Sequence, residues 1–324
     1  MRILLWHVHG SWTTAFVQGG HDYVLPVTPQ RDDDGLGRAR TWDWPASVRE
    51  VPTAALRDED VNCVVLQRPH ELDLLQEWTG LTVGRDVAAV YLEHNTPGGD
   101  VPFTRHPFAD QGDIPVVHVT HFNRLFWDCG SARTMVVEHG IVDPGYRYTG
   151  DIERVAVVVN DPVRRGRAVG SDLVEALTEA VPVDVFGMGA AALADHLGLP
   201  ADRLRAYDDL PQHRMHTELA RRRVYVHTAR WTSLGLSLLE AMHLGMPVVA
   251  LAATEAVRAV PPRAGVLTTS VEELVSATVD LLQRPGDAAR TGRHARDEAL
   301  TRYGLGRFLT DWEAVLRSVV PAHR

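Results

Sequence analysis

Short hydrophobic runs alternate with amphipathic stretches along the whole chain. Arg2–Val8, His21–Pro26, Val61–Leu66, Ala88–Leu92, Val116–Thr120 and Arg133–Val137 read as buried strands. Residues 71–79 and the stretch from His121 to about Cys129 read as helices, and Thr13–Val17 begins another. A second series follows, with strands at Val155–Asn160, Val183–Phe186, Val224–His227, Val248–Leu251 and 264–267. Helical patterns separate them: one from Ser171 or Asp172 through Leu177, then 214–220, 272–282, 290–301 and 308–319. Strands alternating with helices predict parallel α/β layers. A chain of 324 residues is long for one core, so two domains are expected, with Gly145–Gly150 as the linker. Residues 31–50 read as a loop-rich surface segment, with Trp42 and Trp44 more suited to packing than to ligand contact.

The stretch Arg230–Val249 concentrates the candidate chemistry. A polar turn, Thr232-Ser233-Leu234-Gly235, leads into an apolar helix that carries Glu240 among Leu238, Leu239, Ala241 and Met242. Gly245 stops the helix, Pro247 bars its continuation, and a buried strand follows. A carboxylate in that setting needs a partner. The helix start at Thr232–Gly235 offers free N–H groups and a positive dipole end, which suit a phosphate. A carboxylate one to two turns on could take hydrogen bonds from sugar hydroxyls on the same phosphate.

Gly235, Leu236, Leu239, Glu240, Ala241, Met242, Gly245, Pro247, Val248 and Val249 resemble the donor-site motif of retaining glycosyltransferases of the GT-B fold, family 4. The likeness is clear from about residue 137 to 285 and thin before that. It implies an α/β GT-B architecture: two Rossmann-like domains facing each other across a cleft. The implied domains are an acceptor-side domain at 1–148, a nucleotide-sugar donor domain at 149–305, and a helix at 306–324 that returns to the first. The resemblance also implies transfer from a nucleotide-diphosphate sugar, with retention, without a metal and without a cofactor. Glu240 would bind the ribose, and Thr232, Ser233, Leu234, Gly235 and Leu236 would line the donor.

Further site residues follow from the same likeness. The family's diphosphate loop has Arg and Lys where Arg164 and Val169 stand, and Arg165 or Arg167 could supply the missing charge. Three arginines in four residues on a glycine loop suit an anion, although the loop also reads as a solvated basic one. His94 matches a histidine near the donor sugar, Gly10 a cleft glycine after the first strand, and Gly187 a turn near the nucleotide. Asp161–Gly170 is expected as a loop, and Arg221–Arg223 as a surface cap on a helix C-terminus.

Composition narrows the picture further. All 33 basic side chains other than histidine are arginine, so any phosphate clamp is arginine, histidine or backbone N–H. The net charge of −9 argues against nucleic acid as a nonspecific partner. Two cysteines, Cys63 and Cys129, without metal-ligand spacing fit a reduced cytoplasmic protein, and no apolar stretch is long enough to span a bilayer. The expected partners are a nucleotide sugar, with UDP, GDP or dTDP undetermined, and a small-molecule or glycan acceptor. Three alternatives remain: a GT-B nucleotide-sugar epimerase, a non-catalytic GT-B partner protein, and a dinucleotide oxidoreductase using Gly187-Met-Gly-Ala-Ala-Ala192, a formal G-x-G-x-x-A match. Thr232 stands where the family has its first Glu; this departure and Val169 mean either an altered donor, such as a deoxy- or amino-sugar, or lost activity. A panel of nucleotide sugars tests this, and turnover of ordinary glucose or N-acetylglucosamine donors alone contradicts it.

Overall fold

Parallel pairing joins the hydrophobic runs into two separate sheets in the computed structural model, which describes residues 1–321. The first holds β1 (Arg2–Leu5), β2 (Asp22–Val27), β3 (Val48–Pro52), β4 (Cys63–Leu66), β5 (Ala88–Glu93), β6 (Val116–His118) and β7 (Thr134–Val136), in the order β3-β2-β1-β4-β5-β6-β7. The second holds β8 (Ile152–Val158), β9 (Val183–Gly187), β10 (Leu204–Asp208), β11 (Arg222–His227), β12 (Val248–Leu251) and β13 (Gly265–Thr268), in the order β10-β9-β8-β11-β12-β13. Both orders step outward, return past their first strand and continue on its other side. That is the doubly wound arrangement, with switch points between β1 and β4 and between β8 and β11. Its central strands are covered on both faces, which is why Ile3, Leu4, Leu5, Val155, Ala156 and Val157 form continuous buried runs.

Helices α1 (Gly10–Phe16), α2 (Glu71–Thr79) and α3 (His121–Phe126) belong to the first sheet's unit. The second unit contains α4 (Pro162–Arg165), α5 (Ser171–Ala180), α6 (Ala190–Leu197), α7 (Gln212–Arg221), α8 (Leu236–Leu244), α9 (Ala256–Ala259), α10 (Val271–Gln283) and α11 (Pro285–Arg302). The last helix, α12 (Leu305–Val319), belongs to the first unit, which is Met1–Val142 plus the chain from Leu305 onward; the second is Asp143–Gly304. Among the described residues no helix is long and apolar enough to cross a membrane.

The structure redraws three expectations. Residues 145–150 are packed, not a free linker. Tyr146 lies against Gly245, the Tyr148 hydroxyl donates to the Arg223 carbonyl at 2.9 Å, and Asp143 pairs with Arg296 at 2.8 Å. This stretch lies in the second unit, Asp143–Gly304. Asp161–Gly170 is not an open loop but α4 followed by a 3-10 turn over Gly166–Ala168. Arg222 is not a surface cap. It sits on β11, 1% exposed, between Asp184 and Glu218 at 2.7 and 2.6 Å, with the Tyr207 hydroxyl at 2.6 Å. Its guanidinium lies over the Tyr207 and Phe186 rings, 4.7 and 5.2 Å from their centroids. A buried cation held by two carboxylates and two ring faces satisfies the charge that three consecutive arginines appeared to leave on the surface.

In α12, Phe308, Trp312, Val315 and Leu316 repeat at helical spacing and are all buried. Trp312 meets Trp12 and Phe16 of α1 edge-on, at 5.5 and 5.0 Å between centroids. Trp312→Ala removes this anchor and is expected to destabilise the first unit by about 3–5 kcal/mol. The midpoint of denaturant unfolding, followed through a probe in the first unit, measures that loss.

Candidate functional site

In the second unit, the C-terminal edges of β8 and β11 lie side by side, and the chain after each folds against the other. The Ala168 carbonyl accepts the N–H groups of both Arg230 and Trp231, at 2.9 and 3.1 Å. The Thr228 hydroxyl donates to the Val169 carbonyl at 2.7 Å. Gly170 takes a left-handed φ of +81°, and a Cβ there would overlap the Thr228 carbonyl, so only glycine allows this approach. Val169, on the expected lysine position, is 3% exposed and joins the hydrophobic core. Its burial against β11 explains why that position carries no charge.

The three arginines of this segment differ sharply. Arg164, expected to lead the clamp, is 75% exposed and paired with Asp161 at 2.7 Å. Arg167 is 77% exposed and paired with Asp172 at 2.9 Å. Asp172 also holds Arg230 through two contacts, at 2.6 and 2.8 Å, which pulls its carboxyl below the ordinary range. Arg165 is half-buried and, among the described residues, has no carboxylate within ion-pair distance, although Asp161 acts on it from farther off. Burial first, and then the neighbouring Arg164, make its protonated form less favourable. It is the guanidinium here whose charge is uncompensated by a bonded protein partner.

Following Arg230 and Trp231, Thr232 is half-buried, while Ser233 and Leu234 are buried. Gly235 is the N-cap of α8 in extended geometry, with no side-chain cap and no acidic residue in the first turn, where Leu236 is half-buried. Among the described residues no side chain accepts from the first-turn N–H groups, and that of Leu238 is taken by the Gly235 carbonyl at 3.0 Å. The His227 ring packs where a Gly235 Cβ would stand. Glu240 is 3% exposed. Gln212 of α7 donates to its Oε1 at 3.0 Å, and His216 Nε2 lies 3.4 Å from Oε2 without hydrogen-bond geometry. The expected partner for the buried carboxylate is thus present, and Oε2 keeps acceptor capacity.

Gly187 has a φ of +130°, and a Cβ there would overlap the Val159 carbonyl. Its turn is tied to β8's end by Met188 N–H on the Asn160 side-chain oxygen at 3.0 Å. The first N–H of α6, on Ala190, donates to Asp208 at 2.8 Å. A protein carboxylate thus occupies the spot where a dinucleotide's pyrophosphate would bind, and the turn follows β9, not the unit's first strand. Both facts weigh against the dinucleotide alternative.

His94 and Gly10 lie in the first unit. His94 is half-buried beyond β5. Its ring is 3.9 Å from His9, 6.5 Å from His139 and 5.4 Å from Trp12, centroid to centroid. Burial, then His9 and His139, hold its pKa well below the ordinary value. His9 is pushed down to about 4 by burial and Arg68, and His139 to about 3 by burial, His9 and Arg307. Gly10 opens α1 and is covered by the Trp42 ring, which fills the space a Cβ would take. Sequence reasoning missed Arg230, Asp172, Thr228 and the partners of His94. Within each unit, only the strand order brings these residues together.

Residues 162–284 match a family model described as glycosyl transferases group 1. The matched stretch lies within the second unit and contains Arg165, Gly170, Gly187, Gly235 and Glu240. Its fold and that of the first unit are those of GT-B proteins. Sucrose-phosphate synthase from Thermosynechococcus elongatus is similar with a TM-score of 0.74 and 14% identity, over 98% of each chain. HepE of Anabaena, in complex with UDP-glucose, is similar with a TM-score of 0.72 and 15% identity, over 98% of this chain and 100% of that one. TarM of S. aureus, in complex with UDP, is similar with a TM-score of 0.58 and 16% identity, over 79% of this chain and 55% of that one. By sequence, no curated protein matches the chain.

His227, at the second unit's switch point, is pushed by burial from the ordinary 6.5 down to about 4. The native state therefore binds this proton less readily than the unfolded chain does. The stabilisation is complete above 6.5 and declines as pH falls toward about 4. His227→Gln should flatten the decline of stability across that window, as read from denaturant midpoints of both proteins at matched pH.

Proposed function

We propose that the protein transfers a glycosyl group from a nucleotide-diphosphate sugar to an acceptor hydroxyl, with retention at the anomeric carbon. The observation that carries this reading is Arg165: a half-buried guanidinium without a bonded carboxylate, at the same sheet edge as the uncapped start of α8. Both features favour an anion, and a diphosphate offers charge enough for both.

As the bond to the anomeric carbon breaks, charge grows on the departing diphosphate. Arg165 and the N–H groups after Gly235 stabilise that charge where it develops, at a partly desolvated edge. Arg164 and Arg167, each held by a carboxylate, contribute long-range field. Glu240 binds the ribose diol through Oε2, while Gln212 fixes its other oxygen. The countercharge comes from guanidinium and helix N–H groups, so this reading gives no role to a metal ion or a resident cofactor. UDP accompanies HepE and TarM, which makes UDP sugars the first donors to test, and a small molecule or glycan is the acceptor class.

Thermal stabilisation by UDP, GDP, dTDP, ADP and NAD, each at millimolar concentration, tests the reading. A ligand at a hundredfold excess over its dissociation constant stabilises by about 2.7 kcal/mol. One nucleoside diphosphate should produce the shift. Arg165→Ala should abolish it and lower kcat/KM roughly 100-fold or more, whereas Arg167→Ala should largely preserve it. A shift with NAD alone, or equal losses at both arginines, contradicts the reading.

A further inference from the structure

We propose that His227 is a further anion-binding residue of the second unit: it presents an Nε2–H to a phosphate oxygen held at the start of α8, and Tyr225 is the positioning residue that keeps the hydrogen on that nitrogen. That the phosphate belongs to a nucleotide rests on the glycosyl-transfer reading; the hydrogen-bonded chain behind His227 does not.

His227 is the last residue of β11, at the second sheet's switch point, where ligands of doubly wound sheets bind beyond the strand ends. It is 6% exposed. Its Nδ1 lies 3.3 Å from the Tyr225 hydroxyl, and that hydroxyl lies 3.0 Å from Oγ of Ser237 in the first turn of α8. Tyr225 is fully buried. The opposite ring nitrogen, Nε2, lies 3.1 Å from the point where a Gly235 Cβ would stand, and among the described residues it has no hydrogen-bond partner. Two unsatisfied features therefore meet at one place: a helix start without a side-chain cap, and a buried ring nitrogen with nothing to bond.

A count of hydrogens decides what that nitrogen offers. Burial lowers the proton affinity of the ring, and no charged neighbour restores it, so the imidazole is neutral and carries one N–H. The Tyr225 and Ser237 hydroxyls carry one hydrogen each. The two links of the chain use two of the three hydrogens and leave one at an end. In one order Nδ1 donates to Tyr225 and Tyr225 to Ser237. The free hydrogen is then on the serine, and Nε2 is a bare lone pair that repels an anion. In the other order Ser237 donates to Tyr225 and Tyr225 to Nδ1, which puts the free hydrogen on Nε2. The positive end of α8 draws an anion to the side of Gly235. An anion there selects the second order, so ligand and tautomer fix each other. Arg165 supplies charge to the phosphate, and His227 supplies a directed bond that needs no proton from solvent.

Two-bond proton–nitrogen spectra of histidine-labelled protein test this without turnover, with His227 assigned by its absence from the spectrum of His227→Gln. In complex with UDP, or with whichever nucleoside diphosphate stabilises the protein, the wild type should show His227 protonated at Nε2 and bare at Nδ1 from about pH 6 to 8. Tyr225→Phe should lose that single pattern. Ser237→Ala should keep it, because the Tyr225 hydroxyl then has Nδ1 alone to donate to. His227→Leu should weaken the nucleotide about tenfold, and His227→Gln, which retains an N–H, should weaken it less. Pyrophosphate should move the Nε2 resonance as well, and uridine should not. A hydrogen on Nδ1 in the complex, or equal nucleotide affinity of wild type and His227→Leu, overturns the proposal. If His227→Leu fails to fold, the wild-type tautomer and Tyr225→Phe decide. If pyrophosphate moves the resonance and no nucleoside diphosphate binds, the phosphate contact stands and the glycosyl-transfer reading falls. If neither binds, both fall.

Discussion

The approach of Gly170 to the Thr228 carbonyl constrains everything at the second unit's switch point. Any side chain at Gly170 would push the start of α5 away from the end of β11. The Val169 carbonyl would then leave the Thr228 hydroxyl, and the Ala168 carbonyl would leave the two N–H groups it accepts. Those bonds hold the basic segment after β8 against the turn that starts α8. A site built this way is fixed by backbone and needs few side chains to define its geometry.

Charge at that edge follows from the same closeness. Asp161 holds Arg164, and Asp172 holds both Arg167 and Arg230. Two carboxylates engage three guanidiniums and leave Arg165 over. At the other end of the sheet the opposite choice prevails: Arg154 and Arg222 share Asp184, and Arg222 also has Glu218. There the charges are spent on each other, and the region is structural. A chain without lysine uses one side-chain type for both purposes, and only the local carboxylates separate them.

Much of the frame was legible in the sequence because strands buried on both faces leave unbroken apolar runs. The span of α2 over 71–79 and the course Gly235–Glu240–Gly245–Pro247 of α8 came directly from periodicity and helix stop signals. Composition could not tell Arg164 from Arg165, since adjacent residues of one type differ only in how the turn buries them. Arg222 was misread for a related reason: three arginines in a row look solvated, and the aromatic faces and Asp184 that bury the middle one are distant in sequence. Gln67 and His94 follow neighbouring strands, β4 and β5, yet nothing in either stretch announces the hydrogen bond between them. Register, not pattern, brings them together.

The first unit draws its last helix from beyond the whole of the second. During synthesis, the strands β1 to β7 emerge while Trp12 and Phe16 still lack Trp312. The second unit has all its strands and helices earlier, as one uninterrupted stretch. Chains generally fold domain by domain as they are made. Here the order is inverted: the unit translated first is completed last, and its exposed aromatic face waits through the translation of its neighbour.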